Sequence, residues 1–452
     1  MRLRPRSCLL TAIVATSCLS QVASADTSTD ALSMVQLRYF MHQEAQDARV
    51  IPSLEKHARK GNLEATHLLA QHLSLSKEIK ELRQAAELYE QVFDGGEGNP
   101  RVLVDIANLT NRYATLRPEG REDLRRLLPQ LRLTADFASV ESRLEVFLVY
   151  PEIVTTGEVE RLIGYYQQAC VENCRSRTYQ GRLQQSKGNP EEALTQYELA
   201  ASNDPLAVNL YFDLLGAEGT SRFTAFADAK KDEATQWTTE SLSAMGAKLS
   251  SLGDSDPTLA MFWLDEAIKK DSLSARVVKA NLMMSFPDLF GAEETLELIG
   301  SVAQQSPADG RRLLGSAYLV RSWRILNPHK AHDILQQAIA EGDQEAYMGL
   351  GELYSMGGLD EADQVKALEA YRQLTQTGHG PAFYRVATLY EGGRSLCHDP
   401  LKAYANAQLA LDLGQLNAQA LVERVSEKLD PESLARAQQL TAEMRRELGL
   451  LL

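Results

Sequence analysis

The sequence predicts an all-α solenoid of stacked helical hairpins, because several residue types recur at one shared interval. Gly342, Gly378 and Gly414 are spaced 36 residues apart. Three further series keep the same interval: Ala346, Ala382 and Ala418; Tyr318, Tyr354 and Tyr390; and the Lys-Ala pairs that begin at Lys330, Lys366 and Lys402. Such a period marks an array of one supersecondary unit, which buries its apolar face only by stacking on its neighbours.

The clearest repeat unit spans residues 345–378. Its first half carries small and apolar residues at helical spacing, and Gly357 with Gly358 breaks that helix. A second apolar stripe follows, and Gly378 stands where a left-handed C-terminal cap is expected. Two helices of about 13 residues with short turns fill one period. Ala346 and Gly351 are small enough to let two helix axes cross closely.

Helix starts are marked along the chain by Asp or Asn followed by Pro, the N-cap residue and the first helical position. The pairs begin at Asn99, Asn189, Asp204, Asp256, Asn327, Asp399 and Asp430. We expect a signal segment over 1–25, degenerate tetratricopeptide-like repeats over 26–300, regular repeats over 301–428 and one closing helix over 429–452. The stretch 115–160, interrupted by prolines, is expected to be irregular. No alternation typical of strands is present.

Charge and composition narrow the classes of partner. Apolar residues make up 44% and charged residues 24%, values typical of a folded soluble protein. The formal net charge of -14 argues against binding nucleic acid, which needs clustered Lys and Arg at the phosphates. The same charge argues against holding a polyanion by electrostatics alone.

The N-terminal segment has the layout of an export signal, with three arginines before a short apolar run. Two processing sites compete. Cleavage before Cys18 would follow a lipobox-like sequence and leave a lipidated cysteine, whereas cleavage after Ala25 would leave Asp26 first. The lipobox has Ala15 where such motifs usually carry Leu. Both sites remain open on the sequence.

Three cysteines lie outside the signal segment: Cys170, Cys174 and Cys397. Cys170 and Cys174 can bridge if the chain turns between them, and an oxidising compartment favours that bridge over two free thiols. Cys397 is expected at a repeat turn.

No catalytic, cofactor-binding or metal-binding motif is found, so we expect no enzyme activity, no cofactor and no metal. The eight histidines form no convincing ligand set. The repeated tyrosines Tyr318, Tyr354 and Tyr390 could stack sugar rings, but the interpretation as core residues between two helices is favoured.

A partner-binding surface is expected on the concave side, formed by the first helix of each repeat. The period places three rows there. The residues are Arg312, Met348 and Tyr384; Ser316, Glu352, Thr388 and Arg424; and Leu319, Ser355 and Glu391. Mixed polar and aromatic rows suit protein recognition. A merely solvated groove fits the same rows, because exposed helix faces are usually polar.

The segments 382–393 and 399–414 resemble Sel1-like repeats, a relative of the tetratricopeptide family. That resemblance implies a right-handed superhelical solenoid and is specific over 310–425. The whole layout, from export signal to central cysteine pair to Sel1-like repeats, further resembles the lipoproteins of alginate secretion. This second resemblance implies a periplasmic scaffold, lipidated at Cys18 and tethered to the outer membrane. Its partners would be the outer-membrane β-barrel porin and other periplasmic proteins of the secretion complex.

Three functions stay open at this point. The first is the scaffold of exopolysaccharide export. The second is an adaptor of stress or signalling pathways with no link to polysaccharide. The third is a polysaccharide-modifying periplasmic enzyme whose active site lies within 115–160 and uses acidic residues such as Glu141 or Glu145.

Overall fold

A computed structural model describes most of the chain after residue 48. The described residues are 32–34, 37, 49–75, 79–95, 100–112, 137–170, 175–216, 219–252, 256–359, 362–376, 378–392 and 398–447. They form helices joined by turns, and no β-strand occurs among them. The predicted all-α class is confirmed.

The helices follow one another with short connections. In the first half they are α1 Val50–Ala58, α2 Leu63–Ser74, α3 Ile79–Gly95, α4 Pro100–Arg112, α5 Phe137–Val149, α6 Thr156–Ala169, α7 Ser176–Ser186, α8 Pro190–Ala200, α9 Pro205–Leu215, α10 Thr220–Ala229, α11 Thr239–Ser251 and α12 Thr258–Lys269. In the second half they are α13 Leu273–Ser285, α14 Ala292–Gln305, α15 Pro307–Ala317, α16 Pro328–Ala340, α17 Ala346–Met356, α18 Gln364–Thr375, α19 Gly380–Gly392, α20 Pro400–Asp412, α21 Gln419–Ser426 and α22 Pro431–Glu447. Two 3₁₀ turns, Lys231–Gln236 and Leu416–Ala418, complete the described elements.

The packing is that of a solenoid. Each extensive contact between described helices joins a helix to the next one along the chain or to the next but one. Hairpins such as α7 with α8, α17 with α18 and α19 with α20 form the repeating unit. The closing helix α22 packs on α20. Local stacking of this kind confirms the predicted solenoid of helix-turn-helix repeats.

Glycine ends the second helix of each regular repeat, as the sequence predicts. Gly342, Gly378 and Gly414 have φ of 96°, 73° and 83°, a left-handed conformation that residues with a Cβ rarely adopt. The following amide closes the cap: Asp343 N donates to Ala338 O at 2.9 Å. This cap satisfies carbonyls that a helix end leaves without a partner.

Small residues let the two helices of a hairpin cross closely. A Cβ built on Gly351 of α17 would lie 2.4 Å from the Tyr371 ring of α18. The same relation joins Gly181 to Tyr197, with a built Cβ 2.5 Å from the ring. Gly315 faces Leu335 in the same way. The predicted role of Gly351 at the crossing is confirmed, and a glycine in that position recurs in the degenerate repeats.

The middle core cluster is built from buried apolar residues of α8–α13, from Ala193 to Leu282. Its aromatic members are Tyr197, Tyr211, Phe212, Phe223, Trp237 and Trp263. One partly buried residue from far along the chain also packs on this cluster: Leu416, in the 3₁₀ turn after α20. That contact joins the C-terminal repeats to the middle of the solenoid.

Among the described helices, none combines the length and the apolar character needed to cross a lipid bilayer.

Candidate functional site

In each regular repeat, two hydrogen bonds and one cation–π contact around a tyrosine join the end of the first helix to the start of the second. At the end of α19, the Tyr390 carbonyl accepts a hydrogen bond from Asp399 N at 3.2 Å. The Asp399 carboxylate caps α20 by accepting from Lys402 N at 3.1 Å. Lys402 Nζ lies 5.4 Å from the Tyr390 ring centroid. We call this arrangement the tyrosine lock.

The tyrosine lock recurs in the two preceding repeats. Tyr354 O accepts from Asp363 N at 3.0 Å, and Lys366 Nζ lies 5.8 Å from the Tyr354 ring centroid. In the earlier copy, Lys330 Nζ lies 4.3 Å from the Tyr318 ring centroid. Tyr390 is buried and the other two tyrosines are half-buried, and a lysine lies over the ring of each. The tyrosines therefore fix each hairpin, in line with the interpretation as packing residues.

The predicted partner-binding residues lie on α15, α17, α19 and α21, the first helices of successive repeats. We call this set the first-helix face; its residues are Arg312, Ser316, Met348, Glu352, Tyr384, Thr388, Glu391 and Arg424. Ion pairs join one helix to the next across it. Glu352 Oε1 accepts from Arg385 Nη2 at 2.6 Å, which links α17 to α19.

The next pair along the face is a fork between α19 and α21. Arg424 donates from Nε and Nη2 to the two Glu391 oxygens at 2.8 and 2.9 Å. Lys428 Nζ adds a third bond to Glu391 at 3.2 Å. The hydrogen bond from Arg424 is the main cause that lowers the pKa of Glu391 to about 2, and the same bond raises the pKa of Arg424. Glu391 is therefore charged throughout the physiological range.

Arg312 stands at the other end of the face and is already held by two carboxylates. Its Nη2 lies 2.6 Å from Asp309 Oδ1, and its Nε lies 3.1 Å from Asp343 Oδ2. Only 16% of its side chain is exposed. Ser316 is half-buried, beside Gly349 of the next first helix. These two residues mainly bind one repeat to the next.

The apolar part of the face consists of Met348 and Tyr384, both half-buried against the C-terminal core. Thr388 uses its hydroxyl locally, donating to Arg385 O at 2.7 Å. The third predicted row needs a correction. Leu319 is only 5% exposed, because it belongs to the core shared by α16 and α17, and it cannot offer a docking surface.

Two residues that form ion pairs across the first-helix face were not predicted from the sequence: Arg385 and Lys428. The Glu352–Arg385 and Glu391–Arg424 pairs are both 33 residues apart, three short of the period. A search for opposite charges at that separation could have found them. The face as a whole offers alternating, paired charges around a small apolar strip, which suits a protein surface of mixed charge better than a polyanion.

The two glutamates named in the enzyme hypothesis, Glu141 and Glu145, both lie on α5. Glu145, one of the carboxylates of the enzyme hypothesis, accepts from Arg175 at 3.0 Å and from the Tyr179 hydroxyl at 2.6 Å. Those two bonds anchor α7 to α5, which gives Glu145 a structural role. Glu141 is half-buried on α5, and residues 113–136 lie outside the described part of the chain. No group of three or more His, Cys, Asp or Glu among the described residues could hold a metal ion.

The predicted cysteine sites are covered only in part. Cys170 ends α6 and is disulfide-bonded. Cys174 lies outside the described residues, so its pairing with Cys170 stays a prediction. Cys18 and Cys397 also lie outside them.

Comparison with known proteins agrees with the resemblance found in the sequence. No family model matches this chain. Over 202 residues it is 30% identical to the alginate biosynthesis protein AlgK of Pseudomonas syringae pv. tomato, an alignment covering 44% of this chain and 42% of that protein. The chain is similar to AlgK. A second alignment, to AlgK of Azotobacter vinelandii, shows 28% identity over 200 residues with the same coverage. The matched stretch is less than half the length of these AlgK relatives.

Solved structures of Sel1-like proteins also align with the chain. A uropathogenic Escherichia coli antigen with an SLR fold aligns over 96% of this chain and 95% of its own, at 15% identity and a TM-score of 0.31. A Sel1 repeat protein of Klebsiella pneumoniae covers 46% of this chain and 98% of its own, at 18% identity and a TM-score of 0.29. TM-scores of this size carry no argument, so the fold class rests on the helices and contacts described above.

Proposed function

We propose that this chain is a periplasmic scaffold of alginate-type exopolysaccharide biosynthesis and secretion, which acts by docking other proteins on its first-helix face. The similarity to AlgK over 202 residues is the observation that carries the polysaccharide link. The solenoid architecture supports docking, because stacked hairpins present a long continuous surface. The partners would be the outer-membrane β-barrel porin and other periplasmic proteins of the secretion complex.

The first-helix face is suited to docking because the arginines of its ion pairs are exposed to solvent. Arg424 is half exposed, with 50% of its side chain accessible, and Arg385 has 45%. Exposed pairs contribute only about 0–1 kcal/mol, so a partner can exchange them for its own charges at small cost. The half-buried Met348 and Tyr384 lie beside these pairs and supply contact area of the kind enriched at interfaces.

Site-specific photo-crosslinking in the native envelope tests this proposal. A photoreactive amino acid is placed at Met348 or Thr388 on the first-helix face. Matched control positions are Glu369 and Gln373, which are exposed on α18, the second helix of the repeat that contains Met348. We expect adducts with a β-barrel porin or another secretion protein from the first-helix face only.

Three results would contradict the proposal. Equal adducts from α18 would remove the role of the first-helix face. Adducts confined to stress or signalling proteins would favour the generic adaptor instead, and degradation or modification of uronate polymer by the purified chain would favour the enzyme.

We further propose that the mature protein is lipidated at Cys18, which would tether the scaffold to the outer membrane. Mass spectrometry of the mature N-terminus distinguishes the two processing sites. A diacylglycerol-modified Cys18 supports the tether, whereas an unmodified Asp26 contradicts it and leaves the docking proposal intact.

A further inference from the structure

The turns that join a first helix to its second helix form one continuous edge across three consecutive hairpins. Trp323 Nε1, in the turn after α15, donates to Phe290 O, in the turn after α13, at 3.2 Å. Gly358, in the turn after α17, lies against the start of α16, because a Cβ built on it would be 2.9 Å from Pro328 Cβ. We call this surface the turn edge; it consists of residues 286–291, 318–328, 357–359 and 362–366.

Three large aliphatic side chains are exposed on the turn edge, one in each hairpin. Leu289 is 62% exposed, Leu326 is 42% exposed and Val365 is 49% exposed. In the described part of the chain, only three other large hydrophobic residues are comparably exposed. Exposed apolar side chains that concentrate on one edge mark an interaction surface, whereas single scattered ones need no explanation.

The turn edge also carries two exposed arginines without a partner. Arg321 and Arg324 lie in the turn after α15, and their side chains make no ion pair or hydrogen bond with a described residue. From residue 178 to 447, every other described lysine and arginine makes at least one such bond. Free guanidinium groups are the preferred protein ligands of phosphate and carboxylate groups.

The helical hairpin does not need these two arginines. The positions one period later, 36 residues on, are Gly357 and Asp360, so the next repeat has no positive charge at either place. That repeat nevertheless keeps its tyrosine lock, with Asp363 N donating to Tyr354 O at 3.0 Å. The arginines therefore serve something other than the fold of the repeat.

Nearby acids limit how far charge alone can hold a ligand on the turn edge. Asp288 is exposed in the turn after α13, and Glu293 and Glu294 are exposed in the first turn of α14. The whole chain carries a formal net charge of -14. An anionic ligand that used only the two arginines would gain little against this background. The aliphatic side chains must therefore take part in binding.

A phospholipid surface supplies what both kinds of side chain lack. Its phosphates accept hydrogen bonds from arginine, and the boundary of its acyl chains takes up exposed leucine and valine. An acidic polysaccharide would use the arginines alone, because Trp323, the ring in the same turn, is only 6% exposed and offers no face for a sugar. A protein partner is a poorer fit, since leucine and valine are under-represented among the residues that dominate protein interfaces.

We propose that the turn edge rests on a phospholipid membrane. Arg321 and Arg324 bind lipid phosphates, and Leu289, Leu326 and Val365 enter the boundary between headgroups and acyl chains. This contact sets which side of the solenoid faces the membrane, which an acyl chain at the N-terminus alone would leave free to rotate. It goes beyond the docking of proteins on the first-helix face and stands without it.

Co-sedimentation with vesicles tests the proposal, using the exported protein with Cys18→Ser so that no acyl chain contributes. The vesicles contain equal amounts of phosphatidylethanolamine and phosphatidylglycerol. We expect binding to fall about fivefold in Arg324→Gln, the worth of one arginine at a lipid surface, and by a similar factor in Leu326→Ser. Added salt should weaken binding without abolishing it, because burial of the leucines is not screened.

Matched controls come from the middle of the chain. Arg177 is exposed on α7 and Leu199 is 53% exposed on α8, so Arg177→Gln and Leu199→Ser remove the same groups away from the turn edge. Both should bind vesicles like the parent protein. All four substitutions are at exposed positions, and circular dichroism should show an unchanged fold.

Three outcomes overturn the proposal: no vesicle binding, binding that Arg324→Gln and Leu326→Ser retain, or an equal loss in the two controls. Two parallel measurements identify another occupant. A labelled oligouronate that binds through Arg324 when vesicles do not bind would assign the turn edge to an acidic polymer. A photoreactive amino acid at Leu326 that yields protein adducts and no phospholipid adducts in the native envelope would assign it to a protein. Either result also overturns the proposal.

Discussion

The middle and the C-terminal part of this solenoid hold the same helical hairpin by different means. In the C-terminal repeats, the tyrosine lock fixes each hairpin with two hydrogen bonds and a cation–π contact, and ion pairs join one first helix to the next. In the middle, the ring centroids of Trp237 and Trp263 are 4.7 Å apart, and Phe212 packs edge-on to Phe223 at 4.9 Å. There the hairpins are held mainly by aromatic burial.

The difference explains why one region shows its repeat in the sequence and the other does not. The tyrosine lock needs the same residues at the same positions in each repeat. The interval of 36 residues is therefore visible in the series Tyr318, Tyr354 and Tyr390. Close packing of large side chains depends on total volume, and different residues can fill the same space. The degenerate repeats therefore keep the architecture while losing the period.

The largest expected effect is in the middle. Trp263 is fully buried, and Trp263→Ala should lower the free energy of unfolding by about 3–5 kcal/mol, because it removes a large buried surface and leaves a cavity. Urea unfolding followed by circular dichroism measures it. Leu289→Ala is the control, since Leu289 is 62% exposed. A loss below that of the lock substitution Asp399→Ala, described below, would break the contrast between the two regions.

The second effect concerns the crossing of α17 and α18. Gly351→Ala should cost about 1–3 kcal/mol, because the added methyl collides with the Tyr371 ring and overpacks the crossing. The control Gly300→Ala has open space and should stabilise α14 by about 0.5–1 kcal/mol. Thermal unfolding of the two variants should therefore shift in opposite directions. A stabilised Gly351→Ala would contradict the close crossing.

The third effect compares two helix starts of the same Asx-Pro type. Asp399 accepts from Lys402 N, and Asp399→Ala should cost about 1 kcal/mol by removing that cap. Asn189 makes no such bond to its helix, so Asn189→Ala should cost less. Urea midpoints of the two variants measure the difference. Equal losses would show that the cap bond adds nothing to the tyrosine lock.

The smallest effect is the pH dependence of the stability that the Glu391 ion pairs on the first-helix face contribute. The folded pKa of Glu391, about 2, is below its ordinary value of 4.5. The pair therefore stabilises the fold fully above pH 4.5, and this contribution is lost as pH falls from 4.5 through about 2. Glu391→Gln should cost about 1 kcal/mol at pH 7, and the cost should shrink steadily over that acidic range. Glu427→Gln, at an exposed position nearby, is the control; a loss independent of pH would rule out the ion pair as its cause.

Helix ends and helix starts were predictable from the sequence where a residue type strongly favours one backbone conformation. Gly378 and its equivalents were predicted as left-handed caps and adopt that conformation. Most Asx-Pro pairs start a helix at the proline; after Asp256 the helix begins one residue later, at Thr258. These features depend on a few neighbouring residues, so the sequence contains the whole cause.

The candidate sites were predictable only in part. The period assigned Glu352, Glu391 and Arg424 to one face. Arg385, the partner of Glu352, was missed because its position follows from the lateral offset between stacked helices, which periodicity does not contain. The burial of Leu319 was missed for the same reason.

The contact of Leu416 with the middle core cluster has a mechanical consequence. In a stack of purely nearest-neighbour contacts, small rotations add up along the chain, so its pitch would vary freely in solution. Leu416 packs on the middle core cluster and so opposes any increase in pitch that would separate the two regions. Breaking this contact exposes one leucine and costs at most about 1.5–3 kcal/mol, so the restraint is weak and thermal motion can open it.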